Sequence, residues 1–187
     1  MLLFFRGALI ILAIYVQPLY AAISYIEGEP MMPAFSSDYQ APTMLTLGIG
    51  ENQIAGSIVD GDPDFYTLTV PKGAVLTTIN LDAYGHGLAS NVSFIGYQIG
   101  MSIDRDPETL TVDDINYTLF GINDVGGAIL EGENLVAGDY AFWINETSSN
   151  GAVYSLNYTV VSVPEPSTFS LVLLAAIPAI FYRYEKR

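Results

Sequence analysis

The sequence predicts an all-β domain, a sandwich or a barrel, on three observations. From residue 43 to 161 short apolar segments recur, punctuated every 8 to 15 residues by Gly, Pro, Asn or Asp, the rhythm of strands and turns. Tyr, Phe, Ile and Val, which suit the pleated surface of a sheet, fill those segments. Several of them alternate with period two, as a strand with one buried face must.

The chain opens with Met1-Leu2-Leu3-Phe4-Phe5-Arg6, runs apolar from Gly7 to Val16, and breaks at Gln17-Pro18 before the small residues Ala21, Ala22 and Ser24. This is the layout of a secretory signal peptide over residues 1–24, read by the Sec export machinery, with cleavage after Ala21 or after Ser24. Arg6 is the only basic side chain of the n-region and sits inside the apolar run, which leaves an uncleaved membrane anchor as the alternative. Residues 25–42, with Glu27-Gly28-Glu29-Pro30, Pro33, Ser36-Ser37-Asp38 and Pro42, show no period and read as a linker.

The folded domain is expected over residues 43–163. Its strands are expected at Met44–Ile49, Gln53–Val59, Phe65–Val70, Val75–Tyr84, Val92–Ile103, Ile115–Ile122, Tyr140–Asn145 and Val153–Val161. In the third, Tyr66, Leu68 and Val70 form a better core face than Phe65, Thr67 and Thr69. Likewise Tyr140, Phe142 and Ile144 oppose Ala141, Trp143 and Asn145, and Tyr154, Leu156, Tyr158 and Val160 oppose Ser155, Asn157 and Thr159. The one tryptophan, Trp143, is expected to pack against a partly covered face rather than to serve as a ligand platform.

Beyond the domain, residues 164–187 begin with Pro164-Glu165-Pro166-Ser167-Thr168, continue apolar from Phe169 to Tyr182, and end Arg183-Tyr184-Glu185-Lys186-Arg187. A spacer, an apolar segment and a basic end describe a helix, over about residues 168–182, that enters a bilayer and stops with its cations on the cytoplasmic side. Fourteen residues rise about 21 Å against a hydrocarbon core of roughly 30 Å, so this is a marginal span, suited to a temporary anchor. A buried C-terminal core helix is the other reading, but Leu171 to Phe181 offers no polar face.

In its order and its place at the extreme C-terminus, the run from Val163-Pro164-Glu165-Pro166-Ser167-Thr168 to the terminal Arg and Lys resembles the PEP-CTERM sorting signal. The resemblance implies that Pro164, Glu165 and Pro166 are recognised by exosortase, a membrane-embedded cysteine peptidase-like enzyme. It also implies that the apolar helix with Arg183, Lys186 and Arg187 holds the precursor in the inner membrane until processing. A second resemblance lies in Ile54-Ala55-Gly56-Ser57-Ile58, Asp60-Gly61-Asp62-Pro63-Asp64 into Phe65–Val70 and Pro71-Lys72-Gly73, then Leu135-Val136-Ala137-Gly138-Asp139-Tyr140 and Tyr154–Tyr158. These are similar to the bacterial pre-peptidase C-terminal domain, which implies a single jelly-roll-like antiparallel β-sandwich of about eight strands.

Charge bounds the partners. All but Glu165 and Glu185 of the 20 acidic residues fall in residues 22–163, where Lys72 and Arg105 are the only basic ones, so the domain carries about −16. Nucleic acid and anionic lipid are repelled by such a surface. Without cysteine there are no disulfides, thiolate metal sites or cysteine nucleophiles.

Candidate chemistry is sparse. Asp60, Asp62 and Asp64 alternate in a turn and form a weak Ca²⁺ candidate, but the rest of a six- to eight-oxygen shell is not apparent, and a solvated acidic turn is the better account. Asp104-Arg105-Asp106-Pro107-Glu108 and Asp113-Asp114 read the same way. His86, the one histidine, is expected in an exposed loop, and no serine lies in a Gly-x-Ser-x-Gly elbow. Four Asn-x-Ser/Thr triplets, at Asn91, Asn116, Asn145 and Asn157, are read as coincidence in Asn- and Thr-rich strands. No catalytic residue and no cofactor is expected. The first functional reading is therefore a non-enzymatic, exosortase-processed protein of the cell surface or extracellular matrix, structural or associated with surface polysaccharide. A carbohydrate-binding module is the alternative, which three or more coplanar aromatics on one exposed face would favour; a hydrolase, needing a close carboxylate pair in a concave pocket, ranks third.

Overall fold

The computed structural model describes residues 21–30, 32–59, 61–86, 92–111, 113–146 and 150–163. Residues 1–20 of the leader expected over residues 1–24 and the sorting segment over 164–187 lie outside the described residues, as does Asp60. Among the described residues no helix is long and apolar enough to cross a membrane.

The described residues are all-β, with eight strands: β1 (Ser24–Ile26), β2 (Thr43–Thr46), β3 (Gly50–Ile58), β4 (Asp64–His86), β5 (Val92–Ile99), β6 (Asn116–Gly121), β7 (Ala128–Glu146) and β8 (Ala152–Ser162). Two 3₁₀ turns, Pro107–Thr109 and Ile122–Asp124, interrupt the connections. The organising unit is a long antiparallel ribbon. β4 pairs with β7 from Asp64↔Ile144 to Val70↔Gly138, and again from Val75↔Val136 to Asn80↔Ala128. Between the two stretches the register slips at Pro71-Lys72-Gly73, where Gly73 takes φ 74°, a left-handed value that a residue without Cβ adopts without strain. The ribbon folds over there and serves two layers. Its first half sits in the order β2-β4-β7-β5-β6 and its second in the order β1-β3-β8-β4-β7.

Period two then decides the interior, and the expected core face holds. Tyr66, Leu68 and Val70 are buried, with Tyr140, Phe142 and Ile144 beside them, and Tyr154, Leu156, Tyr158 and Val160 close over them from the other layer. Phe142 stacks on Tyr66 at 5.6 Å and meets Tyr158 edge-on at 5.7 Å across the sandwich, the offset and edge geometries that aromatic quadrupoles prefer.

Four expectations change. The pairing is not purely antiparallel, because β1 joins β3 and β2 joins β4 in parallel; both reach sheet edges from an N-terminal segment long enough to cross over. That segment is no linker. Tyr25 and Phe35 are buried in the core, their rings 4.8 Å apart, with Phe35 on Tyr66 at 5.0 Å. Glu27 accepts from the N–H groups of Phe35 and Ser57 at 3.0 and 2.7 Å, fastening the segment to β3. Aromatic burial, worth roughly 1.5–3 kcal/mol for a large apolar side chain, outweighs the missing period. Third, the strands expected at Phe65–Val70 and Val75–Tyr84 are one strand, and β7 begins at Ala128 rather than Tyr140. Fourth, β5 ends at Ile99, and the chain from Gly100 to Ile115 folds over the outer face of the first layer.

Candidate functional site

The residues that alternate with the core on the ribbon build an aromatic outer surface. Phe65 on β4, Trp143 on β7, Phe94 on β5 and Tyr117 on β6 run across four strands, and Tyr39 joins from the N-terminal segment. Phe65 lies 6.0 Å from Trp143, nearly parallel at 15°, and Phe94 lies 5.5 Å from Tyr117 at 25°. The two pairs meet where Phe94 abuts Trp143 edge-on at 4.8 Å and 63°. The row is therefore not a flat platform, and Phe65 is buried beneath its neighbours. Trp143 is half-buried, packed in a small second core with Ile103, Ile115 and Ala141, as the sequence led us to expect.

Beside the indole lies an open cleft of about 350 Å³, walled by Ser37, Tyr39, Pro63, Asp106 and Asn145 with Phe65 and Trp143 among its apolar lining. Three segments distant in sequence converge on it: residues 37–39, the turn 61–63 and residues 106–107. Two polar features stand out. The Trp143 Nε1–H is buried without a hydrogen-bond partner among the described residues, a costly state for a donor. Glu146, at the end of β7, is buried and accepts from the Ser93 hydroxyl at 3.0 Å, while Ser93 Oγ lies 2.9 Å from the Tyr84 hydroxyl. Asp106 and Glu146 both border the cleft, yet each is already engaged with protein groups.

Of the weak Ca²⁺ candidate, Asp60 lies outside the described residues, and Asp62 and Asp64 do not share a face. Asp64 turns inward, buried, and accepts from the Tyr154 hydroxyl at 2.6 Å, whereas Asp62 is exposed in the turn. Burial pushes the Asp64 carboxyl up to about 8, with Glu27 and Asp62 adding repulsion and the Tyr154 hydrogen bond opposing. Gly56 makes room for this pair, since a Cβ there would fall 2.6 Å from the Tyr154 hydroxyl and 2.8 Å from Asp64 Oδ2. Beside it the Tyr66 and Tyr158 hydroxyls sit 2.5 Å apart, and burial raises all three phenols. Arg105 pairs with Asp114 at 3.1 Å, and Asp114 also accepts from Thr111, so these acidic turns are structural ties. His86 is not in a loop: it closes β4, in register with Ala152.

The two ends of the described chain are also fastened. Asn52 is fully buried; its Oδ1 accepts from the N–H groups of Ile23 and Gly48 at 3.0 and 2.7 Å, and its Nδ2 donates to the carbonyls of Gly48, Gly50 and Tyr158. Gly48 lets the backbone of Ala21 approach so closely that no Cβ would fit between them. At the other end, the Val163 N–H donates to the Gly73 carbonyl at 2.8 Å. Sequence reasoning missed these ties, though a lone Asn between Gly48-Ile49-Gly50 and an apolar run was the available signal.

No family model and no curated protein matches the chain. Two solved structures are similar to it at low level. One is PliG of Aeromonas hydrophila, a periplasmic inhibitor of g-type lysozyme, 15% identical over 63% of this chain and 96% of that one, with a TM-score of 0.35. The other is the pre-peptidase C-terminal domain of a collagenase from Bacillus anthracis, 14% identical over 63% of this chain and 92% of that one, with a TM-score of 0.26. Neither likeness is high enough to argue from.

Proposed function

We propose that this is an exported, non-enzymatic protein, anchored in the inner membrane by its C-terminal segment, recognised by exosortase at Pro164-Glu165-Pro166, and delivered to the cell surface or extracellular matrix in a structural or polysaccharide-associated role. One observation supports this most. The last strand ends at Ser162, and the box begins one residue past Val163, so cleavage at or after the box removes no strand of the sandwich. At the other end, signal cleavage after Ala21 leaves Ile23 and Ser24 on β3, whereas cleavage after Ser24 would discard the Ile23–Asn52 and Ile23–Gln53 bonds. The test is fractionation and intact mass in hosts with and without exosortase. The wild-type tail should be removed only where exosortase is present, and a Pro164→Ala/Glu165→Ala/Pro166→Ala variant should stay full-length in the inner membrane. A wild-type tail that remains intact in the exosortase-bearing host would refute processing.

A second reading, carbohydrate binding, is favoured by the cleft beside Trp143. Aromatic walls with nearby acceptors such as Asn145 suit a sugar ring, and the volume falls at the lower end of small-molecule sites, roughly 300 to 1,000 Å³. The acidic surroundings favour neutral over anionic sugars. Affinity electrophoresis through neutral and uronate-bearing polysaccharides tests it: retardation by the neutral ones that Tyr39→Ala abolishes is expected, and equal mobility in every gel would remove this reading.

A further inference from the structure

The two segments that the proposed function directs to the membrane leave the sandwich from the same end. β1 runs parallel to β3, and the chain before Ser24↔Gln53 brings the backbone of Ala21 against Gly48 and Ala22 beside Gly50. Gly50 is paired with Val160 near the end of β8, and three residues later Val163 is held by Gly73, in the corner where the ribbon folds over. Ala22 and Val160 thus flank one strand, about 10 Å apart at the usual spacing of roughly 4.8 Å between neighbours. The C-terminal segment that anchors the precursor therefore leaves from the same pole at which the leader is attached before its cleavage.

The side chains of this pole fit the arrangement. Val136 on β7 and Val161 on β8 lie in register on either side of Val75, in a row across three strands, and are 64% and 41% exposed. Val163 and, on the other layer, Ile99 are also exposed. Lys72, one of the two cations of the domain, sits exposed in the corner turn. Five residues separate Val163 from Phe169, which allows the pole to stand no more than about 20 Å from the apolar segment even with the tether fully extended. The opposite pole carries the turn 61–63 and the ends of β4 and β7, and the cleft beside Trp143, lined by Gly61, Pro63, Asn145 and Glu146, lies toward this pole.

We infer that the precursor stands on the periplasmic face of the inner membrane with the pole formed by Gly48–Gly50, Pro71–Val75, Val136 and Val160–Val163 against the lipid, presenting the cleft away from it. This rests on the anchored reading above. The occupant of the exposed aliphatic row is the lipid surface, held there by the C-terminal anchor against the repulsion that the acidic domain meets from anionic lipid, and processing at the box uncovers it.

β8 offers a matched pair of probes. Val153 and Val161 have the same side chain, lie on the same face of one strand, are both exposed, and are eight residues, about 27 Å, apart. The chain has no cysteine, so Val153→Cys and Val161→Cys each give a single labelling site. Full-length precursor from a host without exosortase is labelled with a fluorophore and reconstituted in vesicles whose phospholipid headgroups carry a quencher. Quenching several-fold stronger at position 161 than at 153 is expected, with the difference lost for protein released by processing. Equal quenching, or the reverse order, in vesicle-bound protein overturns the orientation while leaving the anchor intact. Recovery of the precursor in the soluble fraction overturns the anchored reading and this inference together.

Discussion

Tyr66 and Phe142 face inward and Phe65 and Trp143 outward, on the same two strands and one residue apart, yet the two faces are built differently. Inside, rings fill a closed space between two layers and three central phenols find oxygens: Tyr66 meets Tyr158, and Tyr154 meets Asp64. Outside, the rings lean on one layer only, Phe65 buried and Trp143 half-buried, and the indole N–H has no partner among the described residues. The contrast separates what holds the sandwich together from what it can offer to a ligand.

The largest expected effect lies on the inner face. Phe142→Ala removes a fully buried ring that touches Tyr66, Tyr97 and Tyr158, and should cost about 3–5 kcal/mol in equilibrium unfolding. A cost near that of a surface change would erase the distinction between the faces. Next, Tyr66→Phe strands the buried Tyr158 hydroxyl and should cost about 1–3 kcal/mol, while Tyr66→Phe/Tyr158→Phe should recover part of the loss because neither oxygen is then left unsatisfied. Additive losses in the cycle would mean that the two hydroxyls do not depend on one another.

Asp64 sharpens the comparison through pH. Its folded pKa, near 8, lies above the unfolded value of about 4, so between these the native state holds a proton that the unfolded chain has lost. Its contribution is therefore fully present below about pH 4 and is lost as pH rises through 8. Asp64→Asn keeps an acceptor for Tyr154 but cannot titrate, so its stability relative to wild type should improve steadily from pH 4 to 8. Parallel pH profiles for the two proteins would show that Asp64 is charged in the fold. The smallest effect should come from Arg105→Ala, which breaks an exposed ion pair with Asp114 and should barely move the melting temperature; a large shift would mean that the loop over the outer face depends on that pair.

The inner face was legible because Tyr66–Val70, Tyr140–Ile144 and Tyr154–Val160 carry their period locally. What stayed hidden depends on contacts between distant residues. Tyr25 and Phe35 stand singly among Pro, Ser and Glu, and only the parallel pairing of β1 with β3 brings them into the core. Pro71-Lys72-Gly73 looks like the end of a strand, and is a corner only because Val136–Gly138 turns alongside it. Asp64 sits among acidic neighbours that suggest solvent, yet Gly56, in the strand before it, opens the space that buries it. The cleft joins three separate segments, so no local pattern announces it.

Trp143 is the chain's only tryptophan, so its fluorescence reports the outer face alone. Collisional quenching of the native protein tests the contrast between the faces most directly: neutral acrylamide should reach the indole, while iodide should be held off by the surrounding carboxylates until the ionic strength is raised. An indole that no quencher reaches before the protein unfolds would show that the outer aromatics form a second sealed core, and would contradict the account.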